Sequence, residues 1–475
     1  MHAPTGSAAA LATGDMILLR SCGALYLIRG GVPAVVEGED VFVSGGRVRA
    51  IGRNLRVPEG TWTIEASDWV VIPGLVNTHH HLSQQLTRTE GLDCGLAGWL
   101  AKLYPVWSHI TAEDAYDGAR IGIAELLLSG CTTVGDFTYY FPTGSGDIFE
   151  AQVQAAAELG CRFAPVRGGL VELEAATRER IGDCIDSSIE PVDAMLERME
   201  SAINRFHDAS DASMCRVGLG LTEKTYGLPQ VMRDVAELAN RHDVTLHTHL
   251  HPRPDERERA RFAAGLDPVG FLQDTGWWNE RLWIAHGTGL TPEELHSASQ
   301  HGVGLSLSPS SNARFGLPIT PGLAADLAGV EISIGVDGAA SNDSGHQLAE
   351  MRLVFQTQRI RAAQDGLPFQ LVTPQRVLSW ATVGGARTLG WDGGDIRVGA
   401  LADIAAFSCR ELEYAGASDP IAALLLCASG AMRARLVLVN GAPVVENGAL
   451  THADSMDIAE RGRSAMERLW QRSAN

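Results

Sequence analysis

One stretch of the sequence constrains the fold more than any other, because it joins a buried strand to three consecutive histidines. Residues 70–78 are mostly apolar or β-branched, which predicts a strand that is covered on both faces. His79, His80 and His81 follow directly. Because side chains alternate along a strand, His79 and His81 are expected on one face, about 6–7 Å apart, with His80 pointing away. Two imidazoles placed in this way can bind one divalent metal ion.

The middle of the chain, residues 70–390, alternates short apolar segments with helical patterns. Eight strands are predicted to begin at Val70, Cys131, Cys161, Arg216, Val244, Leu282, Val303 and Ile332. Repeated strand–helix units of this number fit an α/β fold of the (β/α)8 TIM-barrel type better than a doubly wound sheet. The glycine-rich fingerprints of nucleotide-binding folds do not occur at the required positions.

The two ends of the chain share a different pattern. Residues 15–69 and 391–460 contain short alternating strands separated by Gly, Asn and Pro, which predicts one small β-sandwich domain formed from both termini. Residues 1–14 are predicted to be a disordered leader without the features of a secretory signal, and residues 461–475 a C-terminal helix.

Composition narrows the partners and the compartment. The formal net charge is −19, which disfavours nucleic acid as a partner, and no apolar run predicts a membrane span. A small-molecule substrate is easier to reconcile with this charge. The eight cysteines are scattered without a CxxC pair, as in reduced cytosolic proteins. We therefore expect a cytoplasmic protein that binds neither nucleic acid nor membranes.

Ionisable residues recur where the predicted barrel strands end. They are His79 and His81 on the first strand, Glu223 after the fourth, His249 on the fifth, His286 on the sixth and Asp337 on the eighth. The active site of a TIM barrel lies at the C-terminal ends of its strands, so these side chains are expected to converge. Imidazoles with a carboxylate form a ligand set suited to Zn²⁺, with Fe²⁺ as the alternative.

The motifs resemble those of the amidohydrolase superfamily over nearly the whole chain. The similarity is to the metal-dependent aminohydrolase branch, which includes guanine, 8-oxoguanine and S-adenosylhomocysteine deaminases and the s-triazine hydrolases. It is carried by residues 73–81 (PGLVNTHHH), 246–249 (LHTH), 285–286 (AH), 308–312 (SPSSN) and 335–342 (GVDGAASN). The resemblance implies that His79, His81, His249 and Asp337 bind one metal ion and that His286 lies beside the attacking water or the substrate. It also implies a homo-oligomer, dimeric or larger.

The resemblance further implies hydrolytic deamination of an amino-substituted N-heterocycle. In that reaction a metal-activated hydroxide attacks the ring carbon, Asp337 acts as general base, and ammonia leaves. The expected substrate is an oxidised purine such as 8-oxoguanine, isocytosine or a pterin. One alternative is an s-triazine-type hydrolase that displaces chloride, alkylamine or thiomethyl. An alternative of another class is a non-catalytic binding protein on the same scaffold.

One position departs from the pattern of the family. Many of these deaminases have a glutamate three residues after the histidine of the fifth strand, whereas this chain has Pro252, which carries no proton. We predict that Glu223 replaces it as a catalytic residue, with Asp255 and Glu256 as weaker candidates.

Substrate contacts are predicted from the segment after the first strand and from two later loops. Gln84, Arg88 and Trp107 lie in a segment that is similar to the 8-oxoguanine deaminases. A Gln amide offers a donor and an acceptor to a heterocycle edge, and an indole can stack on its ring. Asn312 and His251 are the other two predicted substrate-binding residues.

Overall fold

The computed structural model describes residues 16–29, 32–171, 178–179, 181–222, 226–427, 430 and 432–474. The described residues form nineteen β-strands: β1 Ile17–Cys22, β2 Ala24–Arg29, β3 Val32–Val36, β4 Glu39–Ser44, β5 Arg47–Gly52, β6 Trp62–Glu65, β7 Trp69–Pro73, β8 Leu75–Asn77, β9 Cys131–Thr138, β10 Arg162–Arg167, β11 Gly218–Gly220, β12 Leu246–Leu250, β13 Leu282–His286, β14 Gly304–Leu307, β15 Ile332–Ile334, β16 Ile404–Ser408, β17 Leu436–Val439, β18 Ala442–Glu446 and β19 Ala449–Leu450.

They also form sixteen α-helices: α1 Leu96–Trp107, α2 Ala112–Leu128, α3 Ile148–Leu159, α4 Val192–Phe206, α5 Pro229–His242, α6 Pro254–Ala264, α7 Pro268–Asp274, α8 Pro292–His301, α9 Pro309–Arg314, α10 Gly322–Leu327, α11 Ala339–Asn342, α12 Gln347–Gln364, α13 Pro374–Ser379, α14 Gly385–Thr388, α15 Pro420–Leu426 and α16 Ser455–Ser473. Short 3-10 turns cover Leu82–Thr87, Asp183–Ser188, Phe369–Leu371 and Leu412–Tyr414, and a π-turn covers Trp380–Gly384. Within the described ranges, no helix has the length and apolar character needed to span a membrane.

The barrel consists of eight parallel strands in the order β8 to β15. It closes between its first and last strands, where Thr78 N donates to Ile334 O at 3.1 Å and Val336 N donates to the Asn77 side chain at 2.8 Å. The strand β9 is buried at every position, as a parallel strand covered on both faces must be. The predicted (β/α)8 barrel is therefore confirmed.

The second domain draws strands from both ends of the chain. A four-stranded sheet has the order β5-β4-β1-β6, and a seven-stranded sheet has the order β19-β18-β17-β16-β7-β2-β3. Strand β16 pairs antiparallel with β7, so the C-terminal strands extend a sheet begun by the N-terminal ones. Buried side chains of both sheets, including Ile17, Val71 and Ile404, share one apolar cluster. This arrangement confirms the predicted β-sandwich built from both termini.

The single strand predicted over Val70–His81 is wrong in one respect, because the segment forms two strands in two different sheets. Strand β7 pairs with β16 and β2 in the terminal domain, whereas β8 pairs with β9 in the barrel. Gly74 lies between them, where an added Cβ would come within 2.2 Å of the Thr132 side chain. Only glycine permits that close approach, and the chain changes sheets there. The C-terminal helix α16 begins at Ser455, six residues before the predicted bound.

A buried ion pair joins the barrel to the terminal domain. The Arg162 guanidinium on β10 donates to both carboxylate oxygens of Asp403, at 2.9 and 3.1 Å. Arg162 is 1% exposed, and Asp403 also accepts a hydrogen bond from Asn440 N at 2.7 Å. Removal of one partner from such a pair leaves a buried charge without compensation.

We expect Asp403→Ala to lower the free energy of unfolding by about 3–5 kcal/mol, because the buried Arg162 guanidinium loses its carboxylate partner. The matched control is Glu39→Ala, which breaks a pair with the 55%-exposed side chain of Arg29 and should cost no more than about 1 kcal/mol. Urea unfolding measures both variants. Equal costs for the two would contradict this account of the domain junction.

Candidate metal centre and active site

Four imidazoles and one carboxylate converge where the barrel strands end. The ring centroid of His79 lies 4.9 Å from that of His81, 5.1 Å from that of His249 and 5.5 Å from that of His286. The Asp337 carboxylate lies 3.4 Å from His79 Nε2, 3.5 Å from His81 Nε2 and 3.8 Å from His286 Nε2. The structure thus brings together five of the residues singled out in the sequence. His79 and His81 lie closer than predicted because the strand has already ended at Asn77.

Hydrogen bonds determine which nitrogen of His79 faces the cluster with a lone pair. His247 Nδ1 lies 2.8 Å from the carbonyl oxygen of Trp283, which can only accept, so His247 Nδ1 carries a proton. In the neutral ring His247 Nε2 is then an acceptor, and it lies 2.8 Å from His79 Nδ1. His79 Nδ1 therefore donates, and its Nε2 is left with the lone pair.

The same reasoning applies to His81, because its Nδ1 lies 2.6 Å from the carbonyl oxygen of Phe137 and must donate to it. Its Nε2 therefore faces the cluster as an acceptor, 3.1 Å from His249 Nε2. Carbonyl and imidazole partners of this kind fix the orientation of metal-binding histidines.

The cluster fits one divalent cation. His79 Nε2 is buried and has no hydrogen-bond partner among the described residues, although a buried nitrogen of this kind normally has one. The ligand atoms of His79, His81 and His249 lie within 4.8 Å of one another, as do those of His79, His286 and Asp337. A cation would bind the lone pairs of His79 Nε2 and His81 Nε2, which point into the cluster. Three imidazoles and a carboxylate are a common zinc-binding set.

Electrostatics keep these groups in the protonation states that metal binding requires. Burial, followed by the neighbouring His79, lowers the pKa of His81 to about 4. The same two causes hold the pKa of His249 well below its usual value. Burial alone would raise the pKa of Asp337, but His79, His286 and His81 outweigh it and hold that pKa well below its ordinary range. At neutral pH the site therefore offers His81 and His249 as neutral imidazoles and Asp337 as an ionised carboxylate.

Two of these residues have a strained backbone. His286 has φ 73° and Asp337 has φ 65°, a left-handed conformation that residues other than glycine adopt at a cost. Each residue lies at or just after the end of its strand, so the strain turns its side chain towards the cluster. Such strain concentrates at functional sites.

Asn312 orients His286, whereas the sequence predicted that Asn312 contacts the substrate. The Thr320 hydroxyl donates to the His286 carbonyl, so it can accept from Asn312 Nδ2 at 3.3 Å. This orients Asn312 Oδ1 towards His286 Nδ1, at 3.1 Å, and that nitrogen must donate. His286 Nε2 then faces Asp337. Asn312 is buried behind His286, outside the cavity wall.

A cavity of about 290 Å³ opens directly over the cluster. Its wall includes the two predicted residues Gln84 and His251, and the His251 ring stacks on the His286 ring at 4.4 Å. Gln84 is 1% exposed, and its Oε1 has no hydrogen-bond partner among the described residues. Aromatic and charged side chains complete the wall, among them Trp99, Tyr104, Tyr139, Arg253, Glu256, Arg259 and Phe315. Tyr139 directly follows β9, so the strand-end rule used for the histidines could have identified it.

Like Asn312, the predicted substrate-binding residues Arg88 and Trp107 do not line the cavity. Arg88 forms an ion pair with Glu125 of α2. Trp107 is fully buried behind the wall, where its indole donates to Thr87 Oγ1 at 3.1 Å and its ring contacts Trp99 at 5.2 Å. Trp99 and Tyr104 of helix α1 face the cavity, whereas Trp107 packs against both of their rings from behind. Glu223 lies outside the described residues.

A second cavity, of about 400 Å³, lies between α3 and α4 and contains Arg167, Arg198 and Arg205. All three guanidinium groups are already paired with the carboxylates of Glu190, Asp147 or Glu150. The cavity over the histidines is therefore the better candidate for catalysis.

We expect His247→Phe to lower metal affinity by about 10- to 100-fold, because His79 Nδ1 loses the acceptor that fixes its tautomer. His247→Gln retains a side-chain acceptor and should lose less. Competition with a chromogenic chelator measures both. His242→Phe is the control, since that histidine pairs with Glu200 at the surface. Unchanged affinity in His247→Phe would contradict the proposed relay.

The buried His80 is expected to make the folded protein less stable as the pH falls. Burial, followed by the charge of His81, lowers its pKa from 6.5 to about 3. Between these values the unfolded chain binds a proton that the folded chain does not. Stability attributable to His80 is therefore lost as the pH falls, by about 1.4 kcal/mol per pH unit well below 6.5. Metal-free His80→Gln should lose less stability than metal-free wild type between pH 7 and 5 in urea titrations. Parallel losses would show that His80 is not the cause.

Comparison with known proteins agrees with this geometry. The model of the Amidohydrolase family matches residues 70–443. The chain is 38% identical to 8-oxoguanine deaminase from Pseudomonas aeruginosa over 85% of this chain and 88% of that protein. It is 34% identical to isoxanthopterin deaminase from an unknown prokaryotic organism, over 92% of this chain and 93% of that protein.

A solved structure gives the same result for the fold. Atrazine chlorohydrolase from Arthrobacter aurescens TC1, complexed with zinc, superposes with a TM-score of 0.86 at 28% identity, over 95% of this chain and 100% of that one. The family match covers most of the chain and includes the cluster of histidines and Asp337. The chain belongs to the amidohydrolase family.

Proposed function

We propose that this protein is a metal-dependent hydrolytic deaminase of an amino-substituted N-heterocycle: an oxidised purine such as 8-oxoguanine, isocytosine or a pterin. The observation that carries the proposal is the cluster of His79, His81, His249 and Asp337 at the floor of an aromatic-walled cavity. Two relatives that span most of the chain are named as deaminases of fused heterocycles, which supports this substrate class.

His79, His81, His249 and Asp337 would hold one divalent ion, zinc in the first place and iron as the alternative. The zinc complex of the related chlorohydrolase supports zinc. A bound ion of this type lowers the pKa of water to about 7 and so supplies a nucleophile at neutral pH.

Asp337 and His286 handle the protons and charge of the attack. The ionised Asp337 carboxylate is positioned to take the proton of the attacking water as general base. His286 presents Nε2 to the same space, because Asn312 fixes its Nδ1 as the donor. After it takes up a proton, His286 can stabilise negative charge that develops on the substrate.

Gln84 and Trp99 account for binding of a flat heterocycle. The buried Gln84 amide offers an acceptor and a donor to a lactam edge, which would pair its unpartnered oxygen. The Trp99 indole donates to Ala340 O at 3.0 Å, so its ring is held as one wall against which a heterocycle can stack. Arg88 and Trp107 would act indirectly, through Glu125 and through Trp99.

A second candidate function is displacement of chloride, alkylamine or thiomethyl from an s-triazine. Two observations favour it: the fold similarity to the chlorohydrolase and the presence of Pro252 where a proton donor is usual. Chloride leaves without protonation, so this chemistry needs no acid. A non-catalytic binding protein is disfavoured, because it would not need a metal-ligand set at the floor of a cavity.

The substrate class is tested by incubating the metal-loaded protein with a panel of aminopurines, aminopyrimidines, pterins and s-triazines. We expect ammonia release from at least one amino-heterocycle with a kcat/KM of about 10⁴ M⁻¹ s⁻¹ or more, the ordinary range for enzymes. Release of chloride or thiol without ammonia would instead assign the triazine function. If the protein turns over none of these compounds, the non-catalytic binding function is the one that fits.

Substitutions in the cluster test the metal assignment. Asp337→Asn and His249→Ala should lose bound metal and lower kcat at least about 10³-fold, because each removes a ligand and Asp337 is also the base. Arg88→Gln is the control outside the cavity and should retain its metal. Metal analysis and ammonia assays on the same preparations measure both effects. Full metal content in both cluster variants would refute the assignment.

The cytoplasmic location and the homo-oligomeric state remain predictions. Light scattering of the purified protein tests the second directly, with a dimer or larger assembly expected.

A further inference from the structure

Deamination requires a proton at the departing nitrogen, and Pro252 cannot supply it. Among the described residues that line the cavity, the carboxylates are Asp255, Glu256 and Asp337. Asp337 belongs to the metal-type cluster. The Asp255 side chain is 60% exposed and paired with Arg253 at 3.0 Å. Glu256 is 5% exposed and thus combines burial with access to the cavity.

The protein holds the Glu256 carboxylate in a defined position. Glu256 Oε2 accepts a hydrogen bond from His251 N at 3.1 Å, and Glu256 Oε1 accepts one from the Tyr226 hydroxyl at 3.1 Å. His251 directly precedes Pro252, and its ring stacks on that of His286 at 4.4 Å. Glu256 belongs to the first turn of α6, and its carboxylate therefore lies against the backbone of His251, the residue before Pro252.

The donors His251 N and the Tyr226 hydroxyl bind different oxygens of the carboxylate, so together they orient the plane of the group. Preorganisation of this kind is what a proton carrier needs, because it must meet the reacting atoms in one geometry.

We propose that Glu256 is the catalytic residue that carries the proton to the leaving amino group. This inference rests on the proposed deaminase function and specifies its missing acid. Glu256 would take the place of the usual glutamate three residues after the fifth-strand histidine, from a different backbone position. Its role is separate from that of Asp337, which acts on the attacking water.

The step balances without an oxidant or reductant. Water adds across the ring C=N bond: its oxygen bonds to carbon, and one of its protons goes to the ring nitrogen. The Glu256 carboxylate then takes the proton of the new hydroxyl group and passes it to the amino nitrogen. The C=O bond forms as the C–N bond breaks, and the electron pair of the C–N bond leaves with ammonia. Glu256 is ionised again at the end.

A comparison of leaving groups tests this role. Wild type and Glu256→Gln are assayed on two substrates that share a ring and differ only in an amino or a chloro leaving group. General acid catalysis contributes about 10²–10⁴-fold, so the variant should lose this much kcat on the amino substrate. Chloride needs no proton, so kcat on the chloro substrate should fall less than about tenfold.

Controls separate catalysis from folding and from metal loss. Glu256→Gln should retain its metal content and its affinity for the lactam product, read from tryptophan fluorescence. Asp255→Asn is the control, because its carboxylate is exposed and paired with Arg253, and it should leave the ratio of amino to chloro turnover unchanged. Glu223→Gln is assayed beside it as the rival acid predicted from the sequence. Where chloro turnover is too slow, rescue of Glu256→Ala by added formate takes its place, and restored ammonia release supports the proposal.

Three results would overturn the proposal: equal losses on both leaving groups in Glu256→Gln, a leaving-group-dependent loss in Glu223→Gln instead, or no rescue by formate. Wild-type ammonia release is measured first in the same assay. If wild type releases ammonia and Glu256→Gln behaves like the controls, only this inference fails. If wild type releases none, the proposed function itself fails.

Discussion

The hydrogen bond from Asp337 N to His79 O, at 2.9 Å, is the contact on which the site depends. It joins the segments that leave the first and the eighth strands, which are 258 residues apart in the chain and adjacent in the closed barrel. Closure of the barrel therefore brings the carboxylate to the imidazoles. The left-handed backbone of Asp337 and His286 then turns both side chains inward, at a cost that the surrounding strands must offset.

A second layer of contacts gives the cluster its chemistry. His247 and the carbonyl oxygens of Trp283 and Phe137 fix the tautomers of His79 and His81, so that lone pairs point to one place. His249 Nε2 lies 3.1 Å from His81 Nε2, at the same place. Burial lowers the pKa of His81 and of His249, and the neutral imidazole is the form that binds metal. The orientation of the ligand nitrogens is thus set by polar contacts behind the imidazoles and not by the imidazoles alone.

The sequence predicts the strand ends well because the barrel rule is topological: side chains at the C-terminal ends of consecutive parallel strands must converge. It does not predict the break at Gly74, which depends on a contact with Thr132 of the neighbouring strand β9. Nor does it predict the burial of Trp107, which depends on how α1 packs over the barrel mouth. Arg88 and Asn312 have the right chemistry for substrate contact, yet Glu125 and His286 are nearer partners. Residue type limits what a side chain can do, and packing decides which of those interactions it makes.

We expect one divalent ion to be held jointly by side chains at the ends of the first, fifth and eighth strands. The sharpest test is anomalous diffraction from crystals of the zinc-loaded protein. One peak is predicted, within about 2.0–2.2 Å of His79 Nε2, His81 Nε2, an imidazole nitrogen of His249 and a carboxylate oxygen of Asp337. A peak bound by other residues, two peaks in the cavity, or none at full zinc loading would contradict the account.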